Sequence, residues 1–202
     1  MNPSTPFDQA QDKQLGTKKR IITITGLPGS GKSSTADSVA GIFGYRRFSS
    51  GDFWRQIAQE KGLSVEELNT LAETDPSIDT LVDEAVRRSG EKDELVIDSR
   101  LAFHWIPDSF KVFLRIDPHT AALRAFEHMQ HSGRVSQTAA SLQEAYEKAN
   151  ARAKSESLRY KELYGVSYLD ESQYDLVVDT MKNDLEGVIR TVSDAYREWL
   201  MK

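Results

Sequence analysis

The sequence predicts an α/β domain built on a five-stranded parallel sheet, with helices on both faces and two helical insertions. Three observations predict it. Five short runs are apolar and rich in β-branched or aromatic residues, as strands buried on both faces require. They are Ile21–Thr25, Tyr45–Ser49, Glu94–Asp98, Lys111–Ile116 and Asp175–Asp179. Helical patterns lie between them, and that alternation argues for parallel crossovers. A glycine-rich turn joins the first strand directly to a helix over Ser33–Phe43.

The helix starts carry their own signals. Asp75-Pro76 and Asp117-Pro118 each set a capping acid before a proline suited to the first helical position. Ser64 with Glu67, Ser141 with Glu144 and Asn183 with Glu186 have capping-box spacing. A final helix, Asp184–Leu200, shows an apolar stripe that fits it to cover the sheet. Residues from about 51 to 92 hold two or three helices between the second and third strands. Residues from about 131 to 165 form a polar, charged helical stretch between the fourth and fifth. Insertions there overhang the carboxyl ends of the strands, where open α/β sheets bind ligands.

Composition narrows the function classes. No apolar run is long enough to span a bilayer. Residues 1–19 are polar with mixed charge, lack the features of a targeting peptide, and read as a disordered tail ahead of a 20–202 domain. The absence of cysteine excludes disulfides, thiolate metal sites and cysteine nucleophiles, and is compatible with the cytoplasm. A net charge of −5 argues against long nucleic acid as a partner, which would demand a basic surplus.

Gly26-Leu-Pro-Gly29-Ser30-Gly31-Lys32-Ser33 fits the phosphate-binding pattern G-x-x-x-x-G-K-[ST], in its proper place between strand and helix. Its glycines let successive backbone N–H groups turn toward phosphate oxygens. The helix N-terminus, with Ser33 and Ser34 on its first turn, adds partial positive charge. In this pattern the lysine, Lys32, reaches the outer phosphates and Ser33 is the Mg²⁺ ligand. The fold is therefore the three-layer P-loop type, with ATP and Mg²⁺ as expected cofactors. No N-K-x-D sequence selects guanine.

The basic residues elsewhere suggest an acceptor side. Ser50-Gly51-Asp52, with Arg55 a turn later, follows the second strand and can hold a second phosphate. Asp98 ends the third strand, near the expected metal or else capping a loop, and Arg100 lies two residues on. Arg152, Glu156 and Arg159 share one helix face at i, i+4, i+7. That spacing fits a solvated helix with one ion pair. It fits equally a lid lowering two guanidinium groups onto a transferring phosphoryl, with Glu156 orienting one of them.

Together these pieces resemble the cytidylate kinase family, in its short, archaeal-type form, over residues 21–180. The resemblance rests on the phosphate loop, Ser50-Gly51-Asp52-x-x-Arg55, Asp75-Pro76-x-Ile78-Asp79, and Arg100-Leu-Ala. It continues through Arg152-x-x-x-Glu156-x-x-Arg159-Tyr-Lys, Leu163-Tyr-Gly165 and the closing Tyr174–Thr180 strand. It implies a nucleoside-monophosphate-binding insertion and a lid. By the same resemblance, Ser50, Arg55, Arg100, Arg152 and Arg159 contact the acceptor phosphate and the transition state. This chain departs from the family at Ser99 and Phe103, where archaeal-type members have glycine. It also has Leu101 where longer bacterial members carry a base- or ribose-reading acid. The acceptor base and sugar are thus left open.

The implied reaction is transfer of the ATP γ-phosphoryl to CMP or dCMP, by a cytoplasmic monomer with no membrane partner. Two alternatives stand beside it: a P-loop kinase for a hydroxyl acceptor, using Asp52 or Asp98 as base, and a nucleotide-binding regulator without turnover. His128 and His131 have metal-pair spacing but read as exposed helix-end residues. Trp54, Trp105 and Trp199 read as packing residues.

Overall fold

The computed structural model describes residues 19–132, 139 and 141–202, apart from the side chains at 129, 131 and 132. The tail expected over residues 1–19 falls outside the described residues except for Lys19, and so does part of the second insertion.

The elements run β1 (Ile21–Gly26), α1 (Lys32–Phe43), β2 (Arg46–Ser49), α2 (Ser50–Glu60), α3 (Val65–Ala72) and α4 (Ser77–Ser89). They continue with β3 (Leu95–Asp98), α5 (Ala102–Trp105), β4 (Phe110–Arg115), α6 (Pro118–Ser132), α7 (Leu142–Tyr164), β5 (Leu176–Asp179) and α8 (Leu185–Leu200). The strands pair in parallel in the order β2-β3-β1-β4-β5. All five expected strands are present, with ends shifted by a residue.

Alternation along β1 builds the layers, because successive side chains point to opposite faces. Ile22 and Ile24 face a core with Ala36, Val39 and Ala40 of α1 and Val188, Val192 and Tyr196 of α8. Ile21 faces the other way, toward Val86 of α4 and Ala102 and Ile106 around α5. The edge strands β2 and β5 are only partly buried, unlike the double-sided burial expected of all five. Trp54 packs with Ile57 and Leu68 inside the first insertion, and Trp105 and Trp199 pack against the cores, as expected.

The caps follow the sequence with one correction. Ser64 and Glu67 form the reciprocal box, and Ser141 Oγ accepts from the Glu144 amide. Asp117 accepts from the Thr120 amide, and Asp75 from that of Ser77, so α4 starts one residue later than Pro76. At α8 the cap is Asp184, accepting from Gly187 N at 2.8 Å, and not Asn183. Asn183 instead donates its amide to the Asp179 carbonyl. The carboxylate next to the helix wins, since an N-cap must reach the N–H groups two or three residues on.

The connection leaving β1 runs outward to β2, while that leaving β3 runs back across β1 to β4. The carboxyl ends of β1 and β3 therefore mark the ligand crevice of the sheet. Register places Ser49 of β2 and Ile24 of β1 on either side of Asp98. Among the described residues, no helix is long and apolar enough to cross a membrane.

Candidate active site

The loop after β1 is shaped by its own backbone. Gly26, Gly29 and Gly31 have φ of 152°, 83° and 87°, the region that side chains rarely adopt. A Cβ on Gly29 would also stand 2.0 Å from the Ala121 carbonyl oxygen of α6, so the loop can sit against that helix only with glycine there. Ser30 is buried, and its amide closes the turn on the Leu27 carbonyl at 3.1 Å.

Lys32 opens α1 and folds back so that Nζ donates to the Leu27 carbonyl at 2.9 Å. Burial lowers its pKa to about 8, helped by Arg100 and Arg152 and opposed by Asp98 and Glu156. Beside the lysine, Ser33 Oγ donates to Asp98 Oδ2 at 2.7 Å. Asp98 is thus a partner of the loop serine rather than the cap of a loop. Two hard oxygen donors brought together in this way fit a magnesium ion that keeps phosphate and water as its other ligands.

Arg47 of β2 is a residue that sequence reasoning missed. Its guanidinium lies 3.2 Å from that same Asp98 oxygen, 3.4 Å from Asp52 Oδ2 and 3.4 Å from Asp37 Oδ1. Asp52 also receives Arg55, so Asp52 and Asp98 are each paired with arginine. Burial pushes the Asp52 carboxyl up, but its bonds with Arg55 and the charge of Arg47 outweigh this and hold it below the usual range. Ser49 caps α2 by accepting from the Asp52 amide, and Ser50 Oγ reaches the Asp98 carbonyl at 3.4 Å. The Ser50-Gly51-Asp52 segment with Arg55 therefore lies directly beside Asp98.

The second insertion supplies Arg152, Glu156 and Arg159, and Arg100 joins them from the loop after β3. Glu156 of α7 is 2% exposed and takes Arg152 on Oε1 and Arg100 on Oε2, each at 2.8 Å. Burial would raise its carboxyl, yet Arg100 and Arg152 hold it below its ordinary value. Glu156 thus orients two arginines from different elements, where the helical spacing suggested one. Arg159 is not Glu156's ion-pair partner; its Nε contacts Asp79 of α4 at 2.8 Å, with both side chains buried. A cavity of about 90 Å³ remains beside Pro28, Asn69, Phe126, Lys148 and Arg152. That is well below the roughly 300–1,000 Å³ of ordinary small-molecule sites.

The three positions that depart from the family pattern lie within packing. Ser99 is buried and its carbonyl accepts from Thr25 Oγ1 at 3.0 Å. Phe103 is buried against Tyr174, with ring centroids 4.8 Å apart, in a cluster with Leu101, Val166 and Tyr168. That cluster fixes the exit of α7, which ends on Gly165 in the left-handed region. The side chain of His131 lies outside the described residues.

A parallel 2-3-1-4-5 sheet with a glycine-built phosphate loop, Lys32 and Ser33 defines a P-loop kinase fold. The family model described as "Cytidylate kinase-like family" matches residues 21–182, and the chain belongs to that family. The cytidylate kinase of Methanothrix thermoacetophila is 37% identical over 177 residues, covering 88% of this chain and 98% of that protein. That of Methanocella arvoryzae is 35% identical over 179 residues, covering 88% and 97%. Among solved structures, an uncharacterized protein from Eubacterium ventriosum has a TM-score of 0.61 at 17% identity, covering 88% of this chain and 98% of its own. Shikimate kinase from Acinetobacter baumannii, in complex with shikimate, has 0.58 at 13%, covering 94% and 99%. At such identities the structural likeness speaks for the fold alone.

Proposed function

We propose that this chain transfers the γ-phosphoryl group of ATP to the phosphate of CMP or dCMP, giving ADP and the corresponding diphosphate. The observation that carries the reading is a set of three little-exposed arginines, Arg100 and Arg152 held by the buried Glu156 and Arg159 held by the buried Asp79. Curated relatives bearing the name cytidylate kinase support it.

The acceptor phosphate has its second pKa near about 6, so it is a nucleophile at neutral pH without a general base. The chemical problem is to bring two anions together and keep water out. In this reading the loop amides of Gly29, Ser30 and Gly31, with Ser34 at the helix start, grip the donor phosphates. Lys32 carries the donor's charge toward the acceptor. Ser50, Gly51, Asp52 and Arg55 hold the acceptor, and Arg100 serves both. Arg152 and Arg159 come down from α7, within a lid that spans residues 131–165, while residues 51–92 form the acceptor-binding insertion. Ser33 and Asp98 would hold Mg²⁺, which neutralises charge on the donor phosphates. The enzyme works on free nucleotides, as a monomer in the cytoplasm.

A hydroxyl acceptor would need a free carboxylate base. Asp52 and Asp98 are both engaged by arginine, which disfavours that alternative. The test is ADP release from Mg-ATP against CMP, dCMP, UMP, AMP and GMP. Stimulation by CMP or dCMP well above the others is expected; release that ignores all five acceptors would contradict the reading.

A further inference from the structure

One arginine of the second insertion is held by two acids of the first. Asp79 Oδ2 of α4 accepts from Arg159 Nε at 2.8 Å, and Ser155 Oγ accepts from Arg159 Nη1 at 2.7 Å. Ser155 in turn donates to Glu73 Oε1 at 2.6 Å, at the end of α3. The two carboxylates therefore fix two of the three guanidinium nitrogens, one directly and one through a hydroxyl. The third, Nη2, is buried with no partner among the described residues. A guanidinium has five N–H donors in a rigid plane, so fixing Nε and Nη1 sets where the two donors of Nη2 point.

A buried, unpaired pair of N–H groups is costly to keep, and it is kept here on an arginine of the lid helix. The Asp79 carboxyl is pushed up by burial and drawn back by Arg159, while Asp79 in turn favours the charged guanidinium. Each side chain makes the other's burial tolerable. The first insertion has its own apolar core, in which α3 and α4 pack with α2, so this ion pair is not what builds it.

We propose that Asp79, and Glu73 through Ser155, are positioning residues: they aim Arg159 Nη2 at a phosphate oxygen, so that the lid arginine is presented only when the acceptor insertion lies against α7. Closure of the acceptor side and readiness of the lid are then one event. This rests on the kinase reading, and it adds to that reading the coupling between its two halves.

The test is a double-mutant cycle. Asp79→Asn is expected to lower kcat about tenfold with the KM for ATP unchanged, and Glu73→Gln, at an exposed site, about threefold, as loss of one aligned charged hydrogen bond implies. Asp79→Glu is expected to restore part of the loss. In an Arg159→Ala background, itself down by at least about a hundredfold in kcat, neither change should cost anything more. Equal losses with and without Arg159 would overturn the proposal. So would hydrogen exchange in which Asp79→Asn leaves the amides of residues 155–162 as protected as before. That second readout needs no turnover, so an inactive wild-type chain would count against the kinase reading while the exchange result still decided the coupling.

Discussion

In the loop from Gly26 to Ser33, shape comes from backbone: three glycines at positive φ and an approach to α6 that admits no Cβ at Gly29. Across the crevice, Arg47, Arg55, Arg100, Arg152 and Arg159 owe their positions to carboxylates at Asp52, Asp79, Asp98 and Glu156. The first region takes its shape from its own backbone. The second is a set of charges that neutralise one another. Loop side chains should therefore matter for chemistry more than for folding, and the carboxylates opposite should matter for both.

The largest expected effect breaks the first half of that comparison. Lys32→Ala should lower turnover by about 10²–10³, the cost of removing one aligned donor to developing charge. Its melting temperature should scarcely change, since the hydrogen bond of its ammonium goes to the neighbouring Leu27 carbonyl within the same loop. A large fall in melting temperature would show that the loop depends on its lysine for shape.

Next in size is Glu156→Gln. Removing the charge leaves the half-buried Arg100 and Arg152 without the buried carboxylate that pairs them, at a cost of up to about 3–5 kcal/mol by the measure of broken buried pairs. Denaturant unfolding reads this directly. Stability within about 0.5 kcal/mol of the parent would mean that solvent screens these arginines as at a surface.

The smallest effect is a pH dependence. Because burial lowers Lys32 to about 8, the free enzyme loses its ammonium as pH rises past that point. Bound triphosphate favours the ammonium, so binding above that pH takes up a proton. ATP affinity should be level near neutrality and weaken by up to about tenfold per pH unit above that pKa. Calorimetry in two buffers of different ionisation heat would show the proton uptake, and Lys32→Ala should abolish it.

The same contrast explains what could be read from the sequence. The strands and the loop are local features, coded in short runs such as Ile21–Thr25 and Gly26–Ser33, and they were legible. Arg152, Glu156 and Arg159 were legible as a helix face, because spacing along one helix fixes direction. Their partners on other elements were not. Asp79 lies 80 residues from Arg159, and only the approach of α4 to α7 brings the two together. Arg47 sits on an edge strand with no pattern around it, and only the pairing of Ser49 with Asp98 reveals its reach. The cap at Asp184 was misread because two adjacent residues both had suitable side chains, and the choice depended on backbone placement.

The central claim is that the γ-phosphoryl leaves ATP for another phosphate. Phosphorus NMR of the wild-type chain with Mg-ATP and CMP tests it most directly. The account predicts loss of the ATP β resonance matched by growth of ADP and CDP diphosphate signals, with little inorganic phosphate. Growth of ADP and inorganic phosphate together, with the CMP resonance unmoved and no CDP, would contradict it.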